Sequence, residues 1–258
     1  MTTLKIIKIG GEIVDNEAVL SKFLANYAAI EGPKILVHGG GKLATKLAET
    51  LKIPVAMVDG RRITDKDTLE VATMVYAGKI NKGVVAQLQK ENCNAIGLSG
   101  ADAKVITSEK RPITNIDYGF VGDIIKVNHT FIKLLLDNEI APVFCALTHD
   151  ANGQLLNTNA DTIASELAIA LSRNFNTQLF YCFGKQGVLK DMNDEGSVIT
   201  RIDTTSYALL KEGSIISEGM IPKLDNCFNA IDNGVQQVHI GKPDMLFKEH
   251  QLYTTITK

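Results

Sequence analysis

A chain of 258 residues with 45% hydrophobic and 22% charged residues has the balance of an ordinary globular protein, long enough to bury a large core and too apolar for extended disorder. Its 27 basic against 29 acidic residues give a formal net charge of −2 with no long block of like charge, which excludes nucleic acid as the main partner and confines any anion site to a local pocket. No run reaches the ~18 apolar residues of a membrane span, the first residues carry charge inside their apolar run rather than a leader's core, and Cys93, Cys145, Cys182 and Cys227 are dispersed without a Cys-x-x-Cys pair, as expected of buried thiols in a reducing cytoplasm.

In chain order, a strand is predicted over 5–9, ending in Lys8-Ile9-Gly10-Gly11. A helix follows, with Val19, Leu20, Phe23, Leu24, Tyr27 and Ile30 on one face. The next strand, 34–37, runs into His38-Gly39-Gly40-Gly41 and a helix with Leu43, Leu47 and Leu51 at four-residue spacing. Strands over 55–58 and 95–98 come next, the first leading into a loop with Gly60, Arg61 and Arg62. The segment 106–123 is punctuated by Pro112, Asn115, Asp117, Gly119 and Gly122 and reads as a β-hairpin insertion. A strand at 141–145 precedes Asn157-Thr158-Asn159-Ala160-Asp161, which introduces an apolar helix over 163–171 with one of its polar side chains as cap. Strands at 178–182 and 235–240 flank a helix that opens at Gly219-Met220-Ile221-Pro222-Lys223 and buries Leu224, Phe228 and Ile231. Alternating β and α elements predict an α/β fold with a mostly parallel sheet covered on both faces. Two lobes are expected, 1–173 and 174–258, with the seam in 171–176.

Several segments combine glycine with charge. Gly10 and Gly11 let the backbone approach a ligand closely, and Lys8 beside them reaches either a phosphate or solvent. Gly39, Gly40 and Gly41 stand at a strand-to-helix junction, where backbone N–H groups and the helix end favour an anion. The same residues also fit a relaxed dinucleotide fingerprint, Gly39-x-Gly41-x-x-Ala44, with Asp59 as its distal acid, so an oxidoreductase stays open on this motif. Arg62 suits a bidentate grip on a carboxylate, or solvent. Lys223 at a helix start is opposed to the helix dipole, a misfit that an anion beside it relieves.

Taken in order, Lys8-Ile9-Gly10-Gly11, His38-Gly39-Gly40-Gly41, Gly60-Arg61-Arg62-Ile63-Thr64, Tyr118-Gly119-Phe120-Val121-Gly122, Asn157-Thr158-Asn159-Ala160-Asp161 and Gly219-Met220-Ile221-Pro222-Lys223 resemble the motif set of the N-acetylglutamate kinases, within the amino-acid kinase family. The resemblance spans nearly the whole chain. It implies an open three-layer αβα sandwich, with the acyl-amino-acid site in the N-terminal lobe and ATP, with Mg²⁺ on its phosphates, in the C-terminal one. On it, Lys8 and Lys223 are catalytic cations held by Asp161. Gly40, Gly41, Arg62, Asn157, Asn159 and Arg61 serve the substrate, an N-acyl-L-glutamate. Gly10, Gly11, Gly184, Lys185, Gly187, Leu189, Ile215 and Ser217 serve the nucleotide, and no protein metal ligands are expected. The product is an acyl phosphate, in the second step of arginine synthesis. Other acceptors within the family (glutamate, carbamate, an aminoadipate derivative) and a non-catalytic relative are the alternatives.

The chain departs from that pattern at three places. Arg61 stands where the resemblance expects an aliphatic residue against the acyl group, which favours a longer, anionic acyl chain such as succinyl. Phe183-Gly184-Lys185 replaces a Thr-Asp-hydrophobic run on the nucleotide strand. The first strand begins by about Leu4 with no helix before it, so the resemblance implies a homodimer without inhibition by arginine.

Overall fold

The computed structural model describes the chain except residues 59, 60, 192, 214 and 217–219 and the side chain of Pro222. Its strands are β1 (Thr3–Ile9), β2 (Lys34–His38), β3 (Met57–Val58), β4 (Arg61–Arg62), β5 (Ala95–Leu98), β6 (Ile106–Lys110), β7 (Gly122–Val127), β8 (Ala141–Phe144), β9 (Leu147–His149), β10 (Leu155–Asn157), β11 (Asn176–Cys182), β12 (Arg201–Ile202), β13 (Gln237–Gly241) and β14 (Thr254–Ile256). The helices are α1 (Gly11–Val14), α2 (Glu17–Ala28), α3 (Gly41–Thr50), α4 (Lys66–Thr73), α5 (Asn81–Lys90), α6 (His129–Asp137), α7 (Ala160–Leu171), α8 (Thr204–Glu212) and α9 (Ile221–Asp232). A π-helical turn, Met74–Ile80, fuses α4 and α5.

An eight-stranded sheet of order β12-β14-β13-β11-β1-β2-β8-β5 carries the fold. All its neighbours run parallel except β13 and β14. Parallel strands are covered on both faces, which is why Leu4, Ile6, Ile7, Ile9, Ile35, Leu36 and Val37 are all fully buried. β1 is central. It pairs with β2 on one side and β11 on the other, placing Ile9 level with both His38 and Cys182. The chain thus leaves the middle of the sheet in opposite directions, and the crevice beyond the carboxyl ends of such strands is where α/β sheets bind ligands. The sheet runs without a break across the expected seam, since β1 and β11 are hydrogen-bonded neighbours.

The insertion at 106–123 is the antiparallel pair β6 and β7, bulged between Thr107 and Ser108, and it joins β9 and β10 in a separate four-stranded sheet. Other expectations need correction. The strand at 55–58 shrinks to Met57–Val58 and pairs with β4 outside the main sheet. The acid of a dinucleotide site stands at the end of a strand in the main sheet, so this hairpin removes the structural context of that fingerprint; Asp59 itself lies outside the described residues. On α3, Leu43 and Leu47 pack partly buried against the core, but Leu51 is half exposed and the buried positions are Ala44 and Ala48. α3 packs against α4 and the π-helical turn. α7 starts at Ala160 rather than 163, because the Asn159 side chain accepts from Asp161 N at 2.7 Å and Thr162 N at 3.3 Å.

α7 packs on β1 and β11 with Ile163, Ala164, Leu167, Ala168 and Leu171 buried. Leu167→Ala, which opens a cavity at a fully buried position, is expected to lower unfolding free energy by about 2–5 kcal/mol, read from the urea midpoint at unchanged m-value.

Candidate functional site

Lys8 is the penultimate residue of β1, Asp161 lies in the first turn of α7, and Lys223 in the first turn of α9. The three converge at the carboxyl edge of the sheet. Lys8 Nζ is 2.8 Å from Asp161 Oδ1 and Lys223 Nζ 3.5 Å from Oδ2, so one carboxylate spans two ammonium groups. Burial pushes the Asp161 carboxyl pKa up. Lys8, and then Lys223, pull it down further than burial raises it, and it ends below the ordinary carboxylate value. Lys223 also lies over the rings of Tyr181, at 5.2 Å, and Phe183, at 5.1 Å. Tyr181 in turn donates its hydroxyl hydrogen to the Asp161 carbonyl at 3.1 Å. Two ammonium groups therefore hold the carboxylate, and Tyr181 its main chain, at a helix start that already favours negative charge.

Beside this cluster lies a 280 Å³ cavity lined by Gly39, Gly40, Gly41, Arg61, Arg62, Tyr76, Arg111, Asn157, Asn159 and Asn226, among others. Arg62 Nη2 donates to the Gly41 carbonyl at 2.9 Å and to Thr45 Oγ1 at 2.7 Å, which ties the guanidinium to the first turn of α3. Asn157 donates from Nδ2 to Thr64 Oγ1 at 3.0 Å. Gly40 needs to lack a side chain, because a carbon there would stand 2.9 Å from the Tyr76 ring and closer still to Ile80. Arg61, by contrast, is exposed at the rim. Gly40, Gly41, Arg61, Arg62, Asn157 and Asn159 are thus brought to one cavity, with the Asn159 side chain also engaged as the cap of α7. Larger cavities, such as the 490 Å³ one around Lys34, Cys93 and Glu139, lie away from the lysine pair.

The residues expected at a nucleotide are more dispersed. Gly10 donates its N–H to the Cys182 carbonyl at 3.1 Å, which sets the Gly10-Gly11 turn against the end of β11. Gly184 follows that strand, and a side-chain carbon there would clash with the Glu12 carboxylate. Lys185 and Lys242 share Glu195, each at 3.4 Å. At Gly187 a side-chain carbon would meet Thr254 Oγ1 at 2.7 Å, so close packing accounts for this glycine. Leu189 is buried and bridges Val198, leaving only its backbone to face a ligand. Ile215 is exposed. Ser217, Gly60 and Gly219 lie outside the described residues.

Sequence reasoning missed Arg111, Tyr76, Tyr181 and Asn226. Arg111 sits just past β6, at the connecting end of the β6–β7 hairpin, where its Nε contacts Asp123 at 3.1 and 3.2 Å, its Nη2 also donates to Asp123, and its guanidinium lies over the Tyr118 ring. Its Nη1 is buried without a hydrogen-bond partner. Burial raises the Tyr76 phenol pKa against the opposing influence of Arg62. Asn226 had a readable signal, one helical turn beyond Lys223. The other three are long-range neighbours with no local pattern.

A model of the amino acid kinase family matches residues 3–242 of the chain. The chain is 55% identical over 247 residues to a protein of Cytophaga hutchinsonii named acetylglutamate kinase, covering 95% of this chain and 94% of that one. It is 56% identical over 237 residues to a protein of the same name from Phocaeicola vulgatus, covering 92% of each. Among solved structures, smu.665 from Streptococcus mutans superposes with a TM-score of 0.76 over 98% of both chains at 26% identity. Carbamate kinase from Giardia lamblia, at 14% identity, gives a TM-score of 0.70 over 100% of this chain and 99% of its own, a likeness of fold.

A carboxylate with a depressed folded pKa contributes stability that is full above the unfolded value, ~4, and is lost as pH falls through the folded one. The urea midpoint of the wild type is therefore expected to fall more steeply below about pH 4 than that of Asp161→Asn, and to exceed it at pH 7, in a pH series of denaturant melts.

Proposed function

Because the chain belongs to the amino acid kinase family, we propose that it transfers the γ-phosphoryl group of ATP to the side-chain carboxylate of N-acetyl-L-glutamate, giving an acyl phosphate in arginine synthesis. The observation that carries this is the carboxylate of Asp161 held between two ammonium groups beside a glycine-lined cavity with Arg62 on its wall. The names of the full-length relatives support the same reading. An acceptor carboxylate, with pKa ~4, is already an anion at pH 7 and needs no general base. Its obstacle is repulsion from a polyanionic donor. Cations and N–H dipoles around the transferring group, with both reactants aligned, are what lower that barrier.

In this reading Lys8 and Lys223 neutralise the phosphoryl oxygens, and Asp161 positions both lysines without quenching them. Gly40 and Gly41 offer backbone N–H groups, Arg62 takes the α-carboxylate, and Asn157 and Asn159 flank the amino-acid portion. The acyl-amino acid occupies the lobe 1–173 and ATP the lobe 174–258, against Gly10, Gly11, Gly184, Lys185, Gly187, Leu189, Ile215 and Ser217. ATP enters as its magnesium complex. In this reading the ion is carried on the nucleotide phosphates, as part of the substrate. A homodimer in the cytoplasm completes the proposal; the buried free thiols at Cys93, Cys145, Cys182 and Cys227 suit the reducing compartment. Among the described residues no helix is long and apolar enough to cross a membrane.

Two guanidinium groups at the cavity favour a second reading of the acyl group alone. Arg61 and Arg111 both line it, a pair of positive charges that suits the terminal carboxylate of N-succinyl-glutamate.

Acyl phosphate trapped with hydroxylamine tests the reaction. The wild type is expected to form hydroxamate from N-acetyl-glutamate only with ATP and Mg²⁺, and Lys8→Ala or Lys223→Ala to lower kcat by about 10²–10³-fold. A wild type that forms none overturns the reading. In the same assay Arg62→Ala should raise KM for the acyl-amino acid more than it lowers kcat. Comparing kcat/KM for the acetyl and succinyl substrates, in the wild type and in Arg61→Leu, decides the acyl group: a succinyl preference lost in the variant supports the second reading, and an acetyl preference rejects it.

A further inference from the structure

We propose that Asn81 is a positioning residue for phosphoryl transfer, acting through His38 to hold the Gly39-Gly40-Gly41 turn in place. The proposal rests on the kinase reading above and assigns a role to two buried polar residues that reading leaves unused.

His38 is the last residue of β2, where the chain leaves the sheet for the glycine turn, and it is fully buried. Its Nδ1 lies 2.8 Å from the Gly39 carbonyl and its Nε2 3.1 Å from Asn81 Nδ2. An amide nitrogen only donates, so Nε2 accepts and the single ring proton sits on Nδ1, donated to Gly39 O. Burial lowers the His38 pKa to about 4, which keeps the ring neutral and this tautomer in place at neutral pH. Asn81 Nδ2 makes a second donation, to the Val143 carbonyl of β8 at 2.9 Å. The amide therefore bridges β8 to the imidazole, and the imidazole reaches the first carbonyl of the turn.

Two further features are shaped around this strut. Asn81 opens α5 directly after the π turn Met74–Ile80, and that turn sets Tyr76 and Ile80 against Gly40. A π turn inserts a residue into a helix, and such insertions concentrate at functional sites. The glycine turn is thus braced twice, at the Gly39 carbonyl by His38 and at the Gly40 Cα by the π turn. On the other side, Gly97 of β5 leaves room for the Asn81 carboxamide, because a side-chain carbon there would lie 2.9 Å from Asn81 Cγ and closer to Oδ1. Asn81 is itself only 1% exposed. A fully buried amide and imidazole give no more stability than well-packed apolar groups of the same size, so core packing alone does not call for them. A fixed hydrogen-bond geometry does, where backbone N–H groups must meet a transferring phosphoryl within tenths of an ångström.

The test uses Asn81→Leu, His38→Leu and the double variant, with thermal melts, acyl-phosphate kinetics and titration with ADP-Mg. Expected is a folded Asn81→Leu whose kcat falls at least ~10-fold while its Kd for ADP-Mg is unchanged, and a double variant no slower than the slower single one. Should Asn81→Leu not fold, Gly97→Ala displaces the Asn81 carboxamide while keeping every polar group, and the same loss of kcat at constant Kd is expected. A folded variant with wild-type kcat, or single losses that multiply in the double variant, overturns the proposal alone. An inactive wild type overturns the kinase reading and the proposal with it.

Discussion

The parallel pairing of β1 with β2 on one flank and β11 on the other is the constraint from which the site follows. Because Ile9, His38 and Cys182 share one level, Lys8, the glycine turn after His38 and the turn after Cys182 emerge together. No single segment supplies the cations. Lys8 comes from the sheet, Lys223 from α9, and Asp161 from α7 between them, so the distance between the two ammonium groups is set by three elements packed on one core. An error in strand register would scatter all of them.

Electrostatics then explains the economy of the arrangement. Two lysines facing one site repel each other in the absence of substrate, and a shared carboxylate relieves this while leaving each ammonium with hydrogens to donate. The aromatic faces of Tyr181 and Phe183 steady Lys223 without adding a second negative charge. With a net charge of −2 over the whole chain, long-range attraction for anions is weak, and positive potential has to come from local groupings such as this cluster and the guanidinium groups around the neighbouring cavity.

Much of this was legible in the sequence because it is local. The buried strands read as short runs rich in apolar residues, and the glycine turns sit at strand ends where close approach requires them. Lys223 showed itself by standing at the wrong end of a helix. What stayed hidden is non-local. The π turn has no distinguishing composition, since Met74-Val75-Tyr76-Ala77-Gly78-Lys79-Ile80 scans as ordinary helix. Arg111 reaches the cavity only because the β6–β7 hairpin folds back over it, and the stripe Leu43, Leu47, Leu51 gave no sign that the buried positions of α3 are Ala44 and Ala48. Among the residues read toward a nucleotide, Gly187 and Leu189 are engaged in packing, which glycine content and apolar character cannot separate from ligand contact.

The cysteines have a use of their own. All four are buried and free, and burial pushes the thiols of Cys145 and Cys182 up to about 12. Since the thiolate is the reactive form, the native protein resists alkylation on two counts, access and ionisation. Cys182 terminates β11 beneath the Gly10 turn, Cys145 follows β8, Cys227 lies within α9 and Cys93 precedes β5. The chain therefore carries an internal set of four clocks, one before the amino end of β5, two at the carboxyl ends of β8 and β11 and one behind Lys223, whose separate rates of labelling record which part of the molecule opens first.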